Sequence, residues 1–183
     1  MPDAATWVTD TSVFTHLCRA GHAEILERLA PAGIIVVPDA VGGEINTARM
    51  LHSGIPDPAS TPWAQLTVLT EDELFTQLVV KAALGGRPTQ HLGECAVIAC
   101  AKHRGFTALI DDRAAITQAD LHGVPSRDTL WLVIEAYWTL ADYNRDRAIQ
   151  VVDDLLATGM YLPIGSGASL FAWAYEEGLL PRD

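Results

Sequence analysis

Five carboxylates stand at positions where a chain of alternating strands and helices could put them to chemical use. Asp10 directly follows a short apolar run, Thr6-Trp7-Val8, and Asp111 and Asp112 directly follow another, Phe106 to Ile110. Glu94 opens the helical segment that leads into that second run, and Glu44 lies on the segment after the run Ile34 to Val37. Open parallel sheets bind their ligands at the carboxyl ends of the strands. Asp10 has no Lys or Arg within eight positions, and Arg113 is the cation next to Asp111 and Asp112. Carboxylates that converge without a cation repel one another severely. Hard oxygen donors of this kind select Mg²⁺ or Mn²⁺ rather than zinc. Each acid also has a plainer use. Asp10, Asp111 and Asp112 could cap helices, Glu94 could complement a helix dipole, and Glu44 could be a solvated helix residue. Together, in this order and at these strand ends, they point to one cation-binding cluster.

The elements that must position these acids follow from hydrophobic periodicity. Strands are expected at 6–8, 34–37, 66–69 and 106–110, with Gly123-Val124-Pro125 as a short fifth strand or strand-like link. One or two helices span 13–30, and further helices are expected at 39–51, 71–84, 92–104 and 113–121. Gly105 ends a helix whose last turn is basic. From about 129 the chain reads as helical, at 129–142, 146–158 and 167–177. Residues 53–65 and 84–90, rich in Gly, Pro, Ser and Thr, read as loops. Strand–helix alternation with a helical tail implies a mostly parallel sheet of four to five strands with helices on both faces.

The 183 residues fit one domain at about 150 residues per domain; 49% are hydrophobic and 19% charged, enough for a real core. Twelve basic against 23 acidic side chains give a net charge of -11, which argues against a coat protein that neutralises phosphates over a broad basic surface. It leaves room for an enzyme whose acids gather in a metal site. No run approaches the roughly 20 apolar residues of a membrane span, and the start does not read as a secretory signal. Cys18, Cys95 and Cys100 form no C-x-x-C pair, so a reduced, cytoplasmic protein is expected. His91 and Cys95 have the spacing of a metal pair but no second pair to match, so Cys95 reads as a small buried hydrophobe. Lys102, His103 and Arg104 read as dipole complements, with a phosphate contact shared with Arg113 and Arg127 as the alternative. Trp131 and Trp138 lie on an apolar stripe, core by default and a partner surface as the second reading. Ile164 to Ser169, IGSGAS, lacks the ending of a phosphate loop, and no G-x-S-x-G elbow is present.

Four segments together resemble the PIN-domain ribonucleases. VTDTSVF (8–14) is similar to the family's opening motif and supplies Asp10, Thr11 and Ser12. VVPDAVGGEI (36–45) resembles its second motif and supplies Glu44. HLGECAVIACAKHRG (91–105) resembles its Gly-Glu helix and supplies Glu94. ALIDDRAA (108–115) resembles the Asp-Asp turn of one branch and supplies Asp111 and Asp112. The tail from Val124 to Leu180, including ATGMYL at 157–162, is similar in layout to that branch's C-terminal helices. The chain departs from the pattern at Ile116, where that branch often has Arg, and at Asp128-Thr129, where many members have Gly-Thr; the second departure adds a carboxylate near the expected site.

The resemblance implies a three-layer α/β/α PIN-like domain over 1–183, with about 129–183 as its extension. It implies a metal-dependent endoribonuclease, the toxin of a type II toxin–antitoxin pair. Asp10, Glu94, Asp111 and Asp112 would hold one or two Mg²⁺ or Mn²⁺ ions, Glu44 the second ion or a water, and Thr11 or Ser12 would hydrogen-bond a carboxylate or phosphate. RNA substrate, a cognate antitoxin and a homodimer are the partners implied. A non-catalytic PIN-like binding module is the alternative. A haloacid-dehalogenase-type phosphatase ranks far lower, since the Asp it wants two positions after Asp10 is Ser12.

Overall fold

The short β-branched runs become strands and the longer periodic segments become helices in the computed structural model, which describes residues 5–181. The expected span 1–183 therefore reaches past the described residues at both ends. β1 (Trp7–Thr9) leads through α1 (Thr11–Arg19) and α2 (Ala23–Leu29) to β2 (Ile35–Pro38). α3 (Asp39–Leu51) leads to β3 (Ala64–Thr67), and α4 (Glu71–Leu84) and α5 (Leu92–Arg104) cross to β4 (Thr107–Leu109). Then come α6 (Arg113–Leu121), β5 (Ser126–Arg127), α7 (Thr129–Thr139), α8 (Arg145–Ala157) and α9 (Leu170–Glu176).

The sheet has five strands in the order β3-β2-β1-β4-β5. Every pairing is parallel, with Val8 opposite Val36 on one side and Ala108 on the other. The chain winds outward from β1 to β3, then returns to place β4 against β1. The direction of winding thus reverses between β1 and β4, and a reversal of this kind opens a crevice at the strands' carboxyl ends.

α5 lies directly on β1, β2 and β4 and touches α3, α4 and α6, while α7 packs on α2 and α8. That position explains why Cys95 through Ala101 are all buried. Burial pushes the Cys95 and Cys100 thiols up to about 11 and Cys18 to about 12, so all three behave as small apolar side chains.

Most boundaries lie within a residue or two of expectation, and three of the differences have a clear physical reason. The third strand starts at Ala64 rather than Leu66, because register with β2 pairs Ile35 with Ala64 and Pro38 with Thr67. Leu66 and Val68 are exposed on this edge strand, so hydrophobicity marked its far end rather than its paired part. The fifth strand is Ser126–Arg127, just past Gly123-Val124-Pro125; Pro125 contributes only its carbonyl, which accepts from Ala108 N–H at 2.9 Å. α7 stops at Thr139, and Tyr143 turns inward to donate its hydroxyl to Glu24 at 2.6 Å.

Trp131 is partly buried edge-on to Trp7, whereas Trp138 is half exposed. A larger group of exposed apolar side chains, Leu74, Phe75, Leu78 and Val79, lies on α4 and outside that stripe. No helix among the described residues is long and apolar enough to cross a membrane.

Candidate active site

The crevice between β1 and β4 is a cleft of about 800 Å³ lined by Asp10, Glu94, Asp111, Asp112, Asp128 and Glu177. Ser12 and Arg113 also line it, and Met160, Tyr161 and Trp173 form its apolar side. Asp10 is the residue after β1, and its N–H donates to Leu109 O of β4 at 3.0 Å. The strand pairing itself therefore sets Asp10 beside Asp111.

Four helix N-termini meet at this place, and acids cap three of them. Asp10 Oδ1 accepts from Val13 N–H at 2.8 Å and caps α1. Asp112 Oδ1 accepts from Ala115 N–H at 2.8 Å and caps α6. Asp128 Oδ1 accepts from Trp131 N–H at 2.7 Å and caps α7. Asp111 binds the same helix end, accepting from Thr129 N–H at 2.8 Å and from Thr129 Oγ1 at 2.9 Å. Glu94 sits in the first turn of α5, with His91 Nδ1 3.7 Å away. Capping and lining the cleft are thus two uses of one carboxylate rather than rival explanations.

Helix N-termini favour carboxylate anions, yet here burial outweighs them. Asp10 is 2% exposed. Its burial, then the charges of Asp111 and Glu94, hold its carboxyl well above the usual range in spite of the Val13 bond. Burial raises Asp111 to about 6 against the pull of Thr129, and Asp128 adds to the rise. Asp128 is raised as well, chiefly by burial, with Glu177 contributing. Among the described residues no Lys or Arg is close enough to Asp10 or Asp111 to restore its charge.

Glu44 differs from the other four. It does not line the cleft. Its Oε2 accepts from the Thr11 hydroxyl and its Oε1 accepts from Gly93 N–H at 3.1 Å. It ties the start of α1 to the start of α5 and so positions Asp10 and Glu94, as a buttress of the site rather than a solvated helix residue. Gly93 is required for this contact, because a Cβ there would lie 2.6 Å from Glu44 Oε2. Thr11 does hold a carboxylate, as expected, and it is that of Glu44.

The basic cluster is not at the cleft. Arg104 pairs with Glu73 at 2.6 Å and also donates to Thr67 Oγ1, His103 meets Thr76, and Lys102 meets His122. Arg127 lies over the Trp131 ring at 5.1 Å, leaving Arg113 as the member of the phosphate-contact reading that lines the cleft. Sequence reasoning noted Asp128 only as an extra carboxylate and missed Glu177, which comes from the last helix and carries no local signal.

Among the described residues no three His, Cys, Asp or Glu side chains form a ready-made ion cage. The donor set still suits a hard divalent cation. Asp10, Glu94 and Asp111 are oxygen donors that destabilise one another's charge, and a cation between them offsets that cost.

The family model described as a PIN domain matches residues 6–168. None of the curated proteins compared matches the chain.

Proposed function

The chain belongs to the PIN-domain family, whose members are generally nucleases, and from that premise we propose that it is a Mg²⁺- or Mn²⁺-dependent endoribonuclease acting as the toxin of a toxin–antitoxin pair. The observation that carries this reading is the meeting of Asp10, Glu94 and Asp111 at the β1/β4 crevice, with no neutralising cation at Asp10 or Asp111 among the described residues.

Asp10, Glu94 and Asp111 hold the cation, with Asp112 on the same wall. When bound, a divalent cation supplies a more acidic attacking water and neutralises charge on the phosphate and the leaving oxygen. The chain's own groups set the geometry. Val13 N–H fixes the Asp10 carboxylate, Thr129 fixes both oxygens of Asp111, and Glu44 locks the two helix ends that carry Asp10 and Glu94. Arg113, the first residue of α6, contacts a phosphate oxygen of the RNA. Three buried, unpaired cysteines support a cytoplasmic place of action.

The biological reading includes a cognate antitoxin, which delivers an Arg or Lys into the same acidic cleft, and a homodimer as the working form. Co-purification from the native operon and sedimentation of the free protein check these two partners.

Cleavage of a labelled single-stranded RNA with Mn²⁺, with EDTA and with the Asp10→Asn variant tests the chemistry. Wild type with Mn²⁺ cuts, and the other two do not. A protein that neither cuts RNA nor binds Mn²⁺ by calorimetry is instead a non-catalytic PIN-like module.

A further inference from the structure

An acidic protein that cuts a polyanion faces a binding problem. The chain carries a net charge of -11, and six carboxylates line the cleft against Arg113. Neutralising phosphates with Lys and Arg releases counterions and supplies most non-specific nucleic-acid affinity. Beyond the cation and Arg113 this cleft has little of that to offer, so affinity must draw also on a part of the substrate other than its charge.

The cleft's second wall offers a means. Tyr161 lines it on the loop between α8 and α9, and the ring is 87% exposed. Its neighbours Met160 and Leu162 point inward and are buried, as is Ile164. The loop is anchored at both ends. Arg19 donates to Thr158 O at 3.0 Å and His16 Nδ1 lies 2.6 Å from Thr158 Oγ1. At the far end Gly167 N–H donates to Asp153 at 2.6 Å, and Gly167 runs so close to α8 that a Cβ would meet Ile149 O at 2.1 Å. Tyr161 is thus an outward ring on a backbone held in place. Singly exposed apolar side chains are ordinary on protein surfaces; this one lines the acid cleft, as does the partly buried Trp173.

We infer that Tyr161 is a base-stacking platform: an unpaired base next to the scissile phosphate stacks on its ring, and Trp173 extends the same wall. Resting on the nuclease reading above, this makes stacking, rather than charge, the source of substrate affinity and selects single strands over duplexes. Aromatic stacking is tolerant of base identity, because every base has a π-face. Duplex RNA keeps its bases stacked on one another and offers none to the ring.

The test uses the full chain with Mn²⁺ and a short single-stranded RNA, comparing wild type with Tyr161→Ala and Tyr161→Phe. Tyr161→Ala raises KM about tenfold with kcat nearly unchanged, and Tyr161→Phe behaves as wild type. The thermal midpoint of Tyr161→Ala stays at the wild-type value, because the ring is exposed. An abasic nucleotide at the stacked position weakens wild type by a similar factor and adds nothing to Tyr161→Ala. In the Asp10→Asn background, RNA affinity falls less than about tenfold between roughly 50 and 200 mM salt. An unchanged KM in Tyr161→Ala, a Phe variant as weak as the Ala variant, or a steep salt dependence overturns the stacking role while leaving the nuclease standing. A wild-type protein that neither cuts nor binds RNA removes both.

Discussion

Two buried carboxylates in this molecule show opposite protonation behaviour. Glu73 is 1% exposed at the start of α4, and Asp10 is 2% exposed at the end of β1. Glu73 receives two hydrogen bonds from the Arg104 guanidinium, at 2.6 and 2.8 Å, and one from Thr70 N–H at 2.7 Å. Arg104 first, and then Thr70, hold its carboxyl below the usual range. Asp10 has a helix N–H but no guanidinium; its charged neighbours are Asp111 and Glu94, and its carboxyl is held well above the usual range. Burial alone therefore does not decide the state of an acid. The paired acid holds its charge, whereas the unpaired one is pushed toward its protonated form and is fully ionised only with a cation beside it.

The sharpest way to break this comparison is to exchange the readouts. Asp10→Asn should lower RNA cleavage by roughly a thousandfold or more while the chain stays folded, because the shape and the cap are kept but a cation ligand is lost. Glu73→Gln should leave cleavage within about twofold, since it lies outside the cleft. Comparable loss of activity in both would erase the distinction.

Cation binding gives the next effect. Mn²⁺ at about a hundred times its Kd should stabilise the folded chain by about 2.7 kcal/mol, read as a rise in thermal midpoint. The rise should vanish in Asp10→Asn and persist in Glu73→Gln. A somewhat smaller cost falls on the paired site. Glu73→Ala should destabilise by roughly 2 kcal/mol, because it leaves Arg104 without its carboxylate; Arg104 is partly exposed and recovers some hydration.

The smallest effect is in pH, and the two regions pull in opposite directions. Asp111 has a folded pKa of about 6 against an ordinary 3.8, so the folded chain binds its proton more tightly. Stability from this group is present at low pH and is lost as pH rises through about 6. Glu73 is lowered, so its contribution is present above its ordinary 4.5 and is lost as pH falls. Without metal, stability at the cleft should decline as pH rises from about 4 to 7. Asp111→Asn should flatten that decline in a chemical-denaturation series, and Glu73→Gln should not.

The candidate cluster was legible in the chain because its members are tied to element ends. Asp10, Asp111 and Asp112 each follow an apolar run directly, and a parallel sheet aligns all such ends on one side. Glu94 was legible from the apolar helix it opens. Glu44 was legible as a member but not in its role, since the partners that turn it away from the cleft, Thr11 and Gly93, lie 33 and 49 residues away. Lys102, His103 and Arg104 read as dipole complements at a helix end, and only the packing of α4 on α5 and α6 revealed their side-chain partners.

What the amino-acid order determined by itself is the alternation of strands and helices, the places of the acids on it, and the lack of a Lys or Arg within eight positions of Asp10. These follow from periodicity and local spacing, which act within a few residues. Tertiary structure alone decided that β4 returns to pair with β1, that Asp128 and Glu177 join the cleft from the ends of C-terminal helices, and that Tyr161 lines it too. The β1–β4 pairing joins residues a hundred positions apart, and the C-terminal side chains of the cleft lie further still from Asp10. Their geometry depends on burying the whole core at once, and no local pattern carries it.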